Sequence, residues 1–121
     1  MATILLVEDD PDVGPLMLHV LFGAGHRVHA TSSAAEALRL LDTMEYDLVV
    51  ADGRLPDGNG ITIADAAAAR GTKALIITAY ALQFPAADLE RHPYLLKPVR
   101  PAELLLSIAR LLGEIAPGPA A

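Results

Sequence analysis

Five short, unbroken apolar runs, Thr3 to Val7, Val28 to Ala30, Leu48 to Ala51, Ala74 to Thr78 and Tyr94 to Leu96, alternate along the chain with segments of helical spacing. Strands that are apolar at consecutive positions are covered on both faces, as in a parallel sheet. In the first intervening segment Val13, Leu16, Met17, Val20 and Leu21 recur at helical intervals and end at Gly23 and Gly25, with Gly14 and Pro15 weakening the first turn. The second opens with Ser33-Ala34-Ala35-Glu36, which reads as a capping box, before Ala37, Leu38 and Leu41. A third helix is expected from near Gly60 through the alanine-rich stretch Ala64 to Arg70, stopped by Gly71. Pro85 and Pro93 confine a fourth helix, between Gln83 and His92, to two turns at most. The last runs from Glu103 to Leu112 after Pro101, with Leu104, Leu105, Ile108, Leu111 and Leu112 as its apolar stripe. Strand followed by helix, five times over, predicts an α/β fold: a doubly wound, five-stranded parallel sheet covered by helices on both sides.

With 121 residues there is enough chain for one core and one domain. Residues 1–114 are expected to form it, and 115–121, Ile115 to the Pro- and Ala-rich end, to be a flexible tail. The absence of cysteine excludes disulfides and thiolate metal sites and suits a reducing, cytoplasmic setting. No apolar run approaches the roughly 20 residues of a membrane helix. A net charge of −6 without a basic cluster argues against direct binding of nucleic acid. The four histidines, His19, His26, His29 and His92, neither cluster nor repeat at metal-ligand spacing and read as surface or helix-end residues.

Function in such sheets gathers at the carboxyl ends of the strands. There the first run ends in Glu8-Asp9-Asp10, the third in Asp52, the fourth in Thr78 and the fifth is followed by Lys97. Any one of these is ordinary, since Asp10-Pro11 alone is a common helix start. The conjunction of acid, acid, hydroxyl and lysine at four strand ends is not. Two carboxylates ~4 to 5 Å apart repel by about 4 kcal/mol at an effective dielectric near 20, so Glu8, Asp9 and Asp52 need compensation. Oxygen donors without His or Cys select a hard divalent cation, and Mg²⁺ fits because it takes one or two carboxylates and keeps waters.

Glu8-Asp9-Asp10, Asp52 followed by Leu55-Pro56 and Gly60, Thr78-Ala79 and Lys97-Pro98 together resemble the signature of response regulator receiver domains, over residues 3–113. The resemblance implies a flavodoxin-like sheet of order 2-1-3-4-5 and a phosphoacceptor at Asp52. It places Mg²⁺ on Glu8, Asp9, Asp52 and the backbone carbonyl of Arg54, with Asp10 just outside. Thr78 and Lys97 would contact the phosphoryl group, Lys97 pairing with Asp52 beforehand, and Lys97-Pro98 would be a cis peptide. Thr78 and Tyr94 would be the switch pair, and Arg54 and Tyr80 would flank the phosphoryl group and shield it from water. The stretch from Thr78 to Lys97 is shorter than the family's usual length, so the fourth helix is expected to be shortened or remodelled. Leu106, beside the stripe of the last helix, could extend a contact patch.

By the same resemblance the chain is a single-domain response regulator, a phosphoacceptor that assists its own phosphorylation and dephosphorylation and is not otherwise an enzyme. Its partners would be a sensor histidine kinase or histidine phosphotransfer protein and an unidentified downstream protein, with the chain itself a monomer or weak dimer. Two alternatives stand beside this reading. A phosphorylation-independent interaction module would need none of these groups, yet all are present. An aspartyl phosphatase similar to the haloacid dehalogenases would want a second Asp two residues after its nucleophile, where this chain has Arg54.

Overall fold

The most continuous apolar runs occupy the centre of one sheet, because only there are both faces of a strand shielded. The computed structural model describes residues 1–79 and 83–114. In chain order its elements are β1 (Thr3–Val7), α1 (Val13–Gly23), β2 (Arg27–Thr31), α2 (Ala34–Thr43), β3 (Leu48–Asp52), β4 (Arg54–Leu55), β5 (Gly58–Asn59), α3 (Gly60–Ala69), β6 (Lys73–Thr78), α4 (Ala86–Glu90), β7 (Tyr94–Leu96) and α5 (Pro101–Leu111). Five strands pair in parallel in the order β2-β1-β3-β6-β7, which is the expected order once the small β4-β5 ribbon is set aside. Tyr80 and the tail 115–121 lie outside the described residues.

Side chains alternate across the sheet and make two cores. Leu5, Val7, Val49, Ala51 and Ile76 face α2 and α3, meeting Leu41, Ile63 and Ala67. Ile4, Leu6, Val50, Leu75 and Ile77 face α1 and α5, meeting Leu21, Leu104 and Ile108. Burial on both faces holds for β1, β3 and β6 but fails at the edges. In β2 only Val28 and Thr31 are even partly covered, and in β7 only Leu95 is, because an edge strand lacks a neighbour on one side.

The helices start and stop close to the expected places. α5 begins two residues early, with Pro101 in its first turn, a position where the missing N–H costs nothing. α4 has five residues and starts after Pro85, as the prolines require. At α2 the expected capping box is only half made. Ser33 Oγ accepts from Glu36 N at 3.2 Å, but Ser33 N donates to Thr31 Oγ1 at 3.2 Å and not to the Glu36 carboxylate. The other exposed amides of the helix go to Asp57, on the unanticipated β4-β5 turn. Its carboxylate accepts from Ala34 N at 2.7 Å, Ala35 N at 3.0 Å and Ser33 Oγ at 2.9 Å. Those bonds, Ala34 and Ala35 first, hold the Asp57 carboxyl below the usual range.

His19 and His29 are exposed and His92 follows the end of α4, as expected, whereas His26 departs from that reading. His26 is buried and its Nδ1 accepts from Ala2 N at 3.1 Å, pinning the start of β1. His29 Nδ1 lies 2.8 Å from the Tyr46 hydroxyl. His92 joins Arg91 in holding Asp65 of α3, with His92 Nε2 2.6 Å from Asp65 Oδ1 and Arg91 Nη2 2.9 Å from Asp65 Oδ2. This clasp ties the end of the short α4 to α3. Hydrogen bonds from His92 and then Arg91 hold the Asp65 carboxyl below its ordinary 3.8. A depressed carboxylate stabilises the fold above its unfolded pKa and stops doing so as pH falls through its folded one. Asp65→Asn should therefore lower Tm at neutral pH, and the gap to wild type should close as pH drops below about 4; a gap that stays constant into acid would show that the clasp does not stabilise the fold.

Candidate functional site

Strand ends deliver the charged groups to one edge. Glu8 and Asp9 follow β1, Asp52 ends β3, Thr78 ends β6 and Lys97 follows β7. Parallel register aligns these ends, with Val7 opposite Ala51, Asp52 opposite Ile77 and Thr78 opposite Leu96. Carboxylate oxygens of Glu8, Asp9 and Asp52 all lie within 4.8 Å of one another, with Glu8 and Asp52 buried and Asp9 exposed. Asp9, Asp10, Asp52, Arg54 and Lys97 line one open cleft of about 620 Å³.

Lys97 holds the acids together. Its Nζ donates to Glu8 Oε1 at 2.7 Å and to Asp52 Oδ2 at 3.1 Å. The pair with Asp52 was expected, and the shorter one with Glu8 was not. Burial pushes the Glu8 carboxyl up to about 7, with the neighbouring Asp52 adding to the rise and Lys97 opposing it. For Lys97 burial works against the charge, but the bonds to Glu8 and Asp52 outweigh it and hold the ammonium above its ordinary range. The Lys97–Pro98 peptide is cis. Asp52 Oδ1 accepts from the backbone N of Arg54 at 3.3 Å, so both of its oxygens are oriented. Asp10 turns away and caps α1, its Oδ1 accepting from Asp12 N at 2.8 Å and Val13 N at 3.2 Å.

Two glycines let the backbone close around Asp52. A Cβ on Gly60 would stand 2.5 Å from the Asp52 carbonyl oxygen, and one on Gly53 would stand 2.6 Å from Thr78 Cβ and Oγ1 and 3.2 Å from the Phe84 ring. Thr78 is fully buried beside that turn. Tyr94 is 43% exposed, its strand position opposite Ile76. Arg54 reaches along the cleft, Nη1 donating to Gln83 Oε1 at 2.8 Å, a contact that sequence reasoning missed.

The donor set suits the expected metal: three carboxylates on a half-open edge, with no softer ligand among them. A family model for the response regulator receiver domain matches residues 4–109. The chain belongs to that family. As a receiver domain it is similar to the receiver of a CheY-like protein from Methanospirillum hungatei, at 30% identity and TM-score 0.84, covering 94% of this chain and 95% of that one. It is also similar to the receiver domain of the sensor histidine kinase PA1611 of Pseudomonas aeruginosa, whose active-site cleft coordinates a magnesium ion, at 30% identity and TM-score 0.82 over 93% of this chain and 98% of that one. Among curated proteins, SilR of Salmonella typhimurium is 36% identical over 90% of this chain. The receiver chain spans about half the length of SilR and of PetR from Rhodobacter capsulatus. No helix among its described residues is long and apolar enough to cross a membrane.

The tight seat of Gly53 gives a direct test of this packing. Gly53→Ala should destabilise the receiver by about 1–3 kcal/mol in urea denaturation, since the new methyl must displace Thr78 and Phe84; an unchanged midpoint would mean that the turn has room to spare.

Proposed function

We propose that the chain works as a response regulator receiver that takes a phosphoryl group onto Asp52 from a phosphohistidine, on a sensor kinase or a histidine phosphotransfer protein, in a Mg²⁺-dependent reaction. The observation that carries this reading is the placement of one oriented carboxylate, Asp52, against Lys97 and two further acids at an open cleft. A carboxylate oxygen of Asp52 attacks phosphorus, the bond from phosphorus to the imidazole nitrogen breaks, and its electron pair stays with the departing ring. Lys97 is placed to neutralise charge on the phosphoryl oxygens, since its Nζ already lies on Asp52 Oδ2. The backbone N–H of Arg54 fixes the other oxygen of the nucleophile. Glu8, Asp9, Asp52 and the Arg54 carbonyl would hold Mg²⁺, which when bound supplies further charge neutralisation at the transferring group.

The Lys97 ammonium, shared between Glu8 and Asp52, supports a site that holds together before metal arrives. Arg54 stands where a phosphatase of the competing type would need its acid, which favours a stoichiometric phosphoacceptor over a turnover enzyme. Signalling then passes by protein contact. Phosphorylation adds charge and acceptor oxygens within reach of the Thr78 hydroxyl, whose movement toward them opens room for the exposed Tyr94 ring to turn inward. Moving a two-state surface from 1:99 to 99:1 takes about 5.5 kcal/mol, so a bound partner is expected to supply part of the bias.

Incubation with acetyl phosphate and Mg²⁺ should add a single phosphoryl mass to the intact protein, and the adduct should vanish in Asp52→Asn and in the presence of chelator. A folded wild-type protein that takes no phosphoryl group, from acetyl phosphate or from candidate kinases, would favour the phosphorylation-independent module instead. For the switch, Tyr94→Ala should leave phosphorylation intact and abolish the dependence of partner affinity on it; if affinity still follows phosphorylation to the same degree, Tyr94 is packing and nothing more. For the shielding role, Arg54→Asn should shorten the life of the phosphoform several-fold, and equal decay rates would remove Arg54 from that role.

A further inference from the structure

Beyond the acceptor turn, residues 83 and 84 reach across to the segment that carries Asp52. Phe84 is half-buried, packs on the α2–α3 core and lies against Gly53. Its neighbour Gln83 accepts from the Arg54 guanidinium through Oε1 at 2.8 Å. Among the described residues, the chain entering α4 is thus fastened beside the acceptor by two contacts of different kind. The apolar one is indifferent to charge. The polar one spends a cation's hydrogen on a neutral amide oxygen, and it originates two residues from Asp52 in a side chain that lines the same cleft as Asp52 and Lys97.

A phosphoryl group on Asp52 would change the competition for that hydrogen. It brings about two negative charges and three strong acceptor oxygens to the cleft. Lys97, the other cation lining the cleft, is already shared between Glu8 and Asp52. Against a phosphoryl oxygen the guanidinium meets an opposite charge that the neutral Gln83 amide lacks, and its planar fork matches phosphate oxygens in pairs. Arg54 is rooted beside the nucleophile, its own backbone N being 3.3 Å from Asp52 Oδ1.

We propose that Arg54 is a phosphoryl ligand held in waiting on Gln83: when Asp52 is phosphorylated, the guanidinium leaves the Gln83 amide for a phosphoryl oxygen, adding a second cation to the phosphoform and unfastening residue 83 and the entry to α4. Phe84 remains seated on Gly53, so the release is local. The inference rests on the phosphoacceptor reading of Asp52 and assigns to Arg54 and Gln83 an exchange of partners.

Beryllium trifluoride with Mg²⁺ serves as the phosphoryl probe, its apparent Kd read by intrinsic tyrosine fluorescence and its presence on the protein by ¹⁹F NMR. Gln83→Ala removes the waiting partner and should tighten binding about 3- to 10-fold, the size of an ordinary net hydrogen bond. Gln83→Glu makes the waiting partner an ion pair and should weaken it by a similar factor. Both effects should vanish in the Arg54→Ala background, which separates exchange through the guanidinium from a simple through-space charge effect. Amide hydrogen exchange at Gln83, Phe84 and Ala86 should rise on binding in wild type and stay unchanged on binding in Arg54→Ala. If wild type binds the probe but the Gln83 variants bind it equally well, or their effects persist without Arg54, the exchange is refuted while the receiver reading stands. If wild type does not bind the probe, the receiver reading itself falls, and the exchange with it.

Discussion

Lys97 is the counter-charge around which the edge is organised. Glu8 and Asp52 are both buried acids, and leaving either without a cation would cost more than the surrounding core could easily supply. One ammonium, reached from β7 on the far side of β6, satisfies both. The sheet must therefore bring the ends of β1, β3 and β7 level, and the parallel register that does so also sets the two cores beneath. Charge and packing agree here, which makes the fold consistent across levels. The cost of the arrangement shows in Glu8, whose carboxyl is pushed up to about 7 by burial and by the neighbouring Asp52, against the opposing ammonium of Lys97.

The same edge is built for access. Glycine at 53 and at 60 allows the backbone of the acceptor turn to lie directly on Thr78 and on the Asp52 carbonyl, so the nucleophile stands at the mouth of a cleft and not under a side chain. Three groups among the described residues stand on the acceptor turn: Thr78 against Gly53, Phe84 against the same glycine, and Gln83 on Arg54. Farther along, the Asp65 clasp fixes the far end of α4 to α3. The stretch from Gln83 to His92 is thus tied at both ends by polar contacts, and the near one lies beside the acceptor.

Much of this was legible in the sequence, and the boundary of legibility has a physical cause. Unbroken apolar runs such as Leu48–Ala51 and Ala74–Thr78 announce central strands, and prolines 85 and 93 announce a short fourth helix, because these signals are local. Asp9, Asp52 and Lys97 could be placed together because a parallel sheet gathers strand ends whatever its details. Contacts between distant segments through side chains left no such mark. The capping of α2 by Asp57, the bond from Ala2 to His26, the Asp65 clasp and the choice of Glu8 as the nearer partner of Lys97 each join residues more than 20 positions apart. The two-residue strands β4 and β5 are too short for any period to show. Edge strands misled in the other direction, since Val28–Ala30 and Tyr94–Leu96 read as apolar while two of the three residues in each are exposed.

Asp57 deserts its own turn to serve a helix that precedes it by more than 20 residues. Modular exchange between receivers meets a hidden seam at this place. A chimera that replaced the loop between Asp52 and Gly60 with one from another receiver would keep the acceptor and the following helix, yet would leave the first amides of α2 without their acceptor. Helix α2 and the acceptor loop therefore form one inheritable unit, and a cut point chosen by strand boundaries alone would divide it.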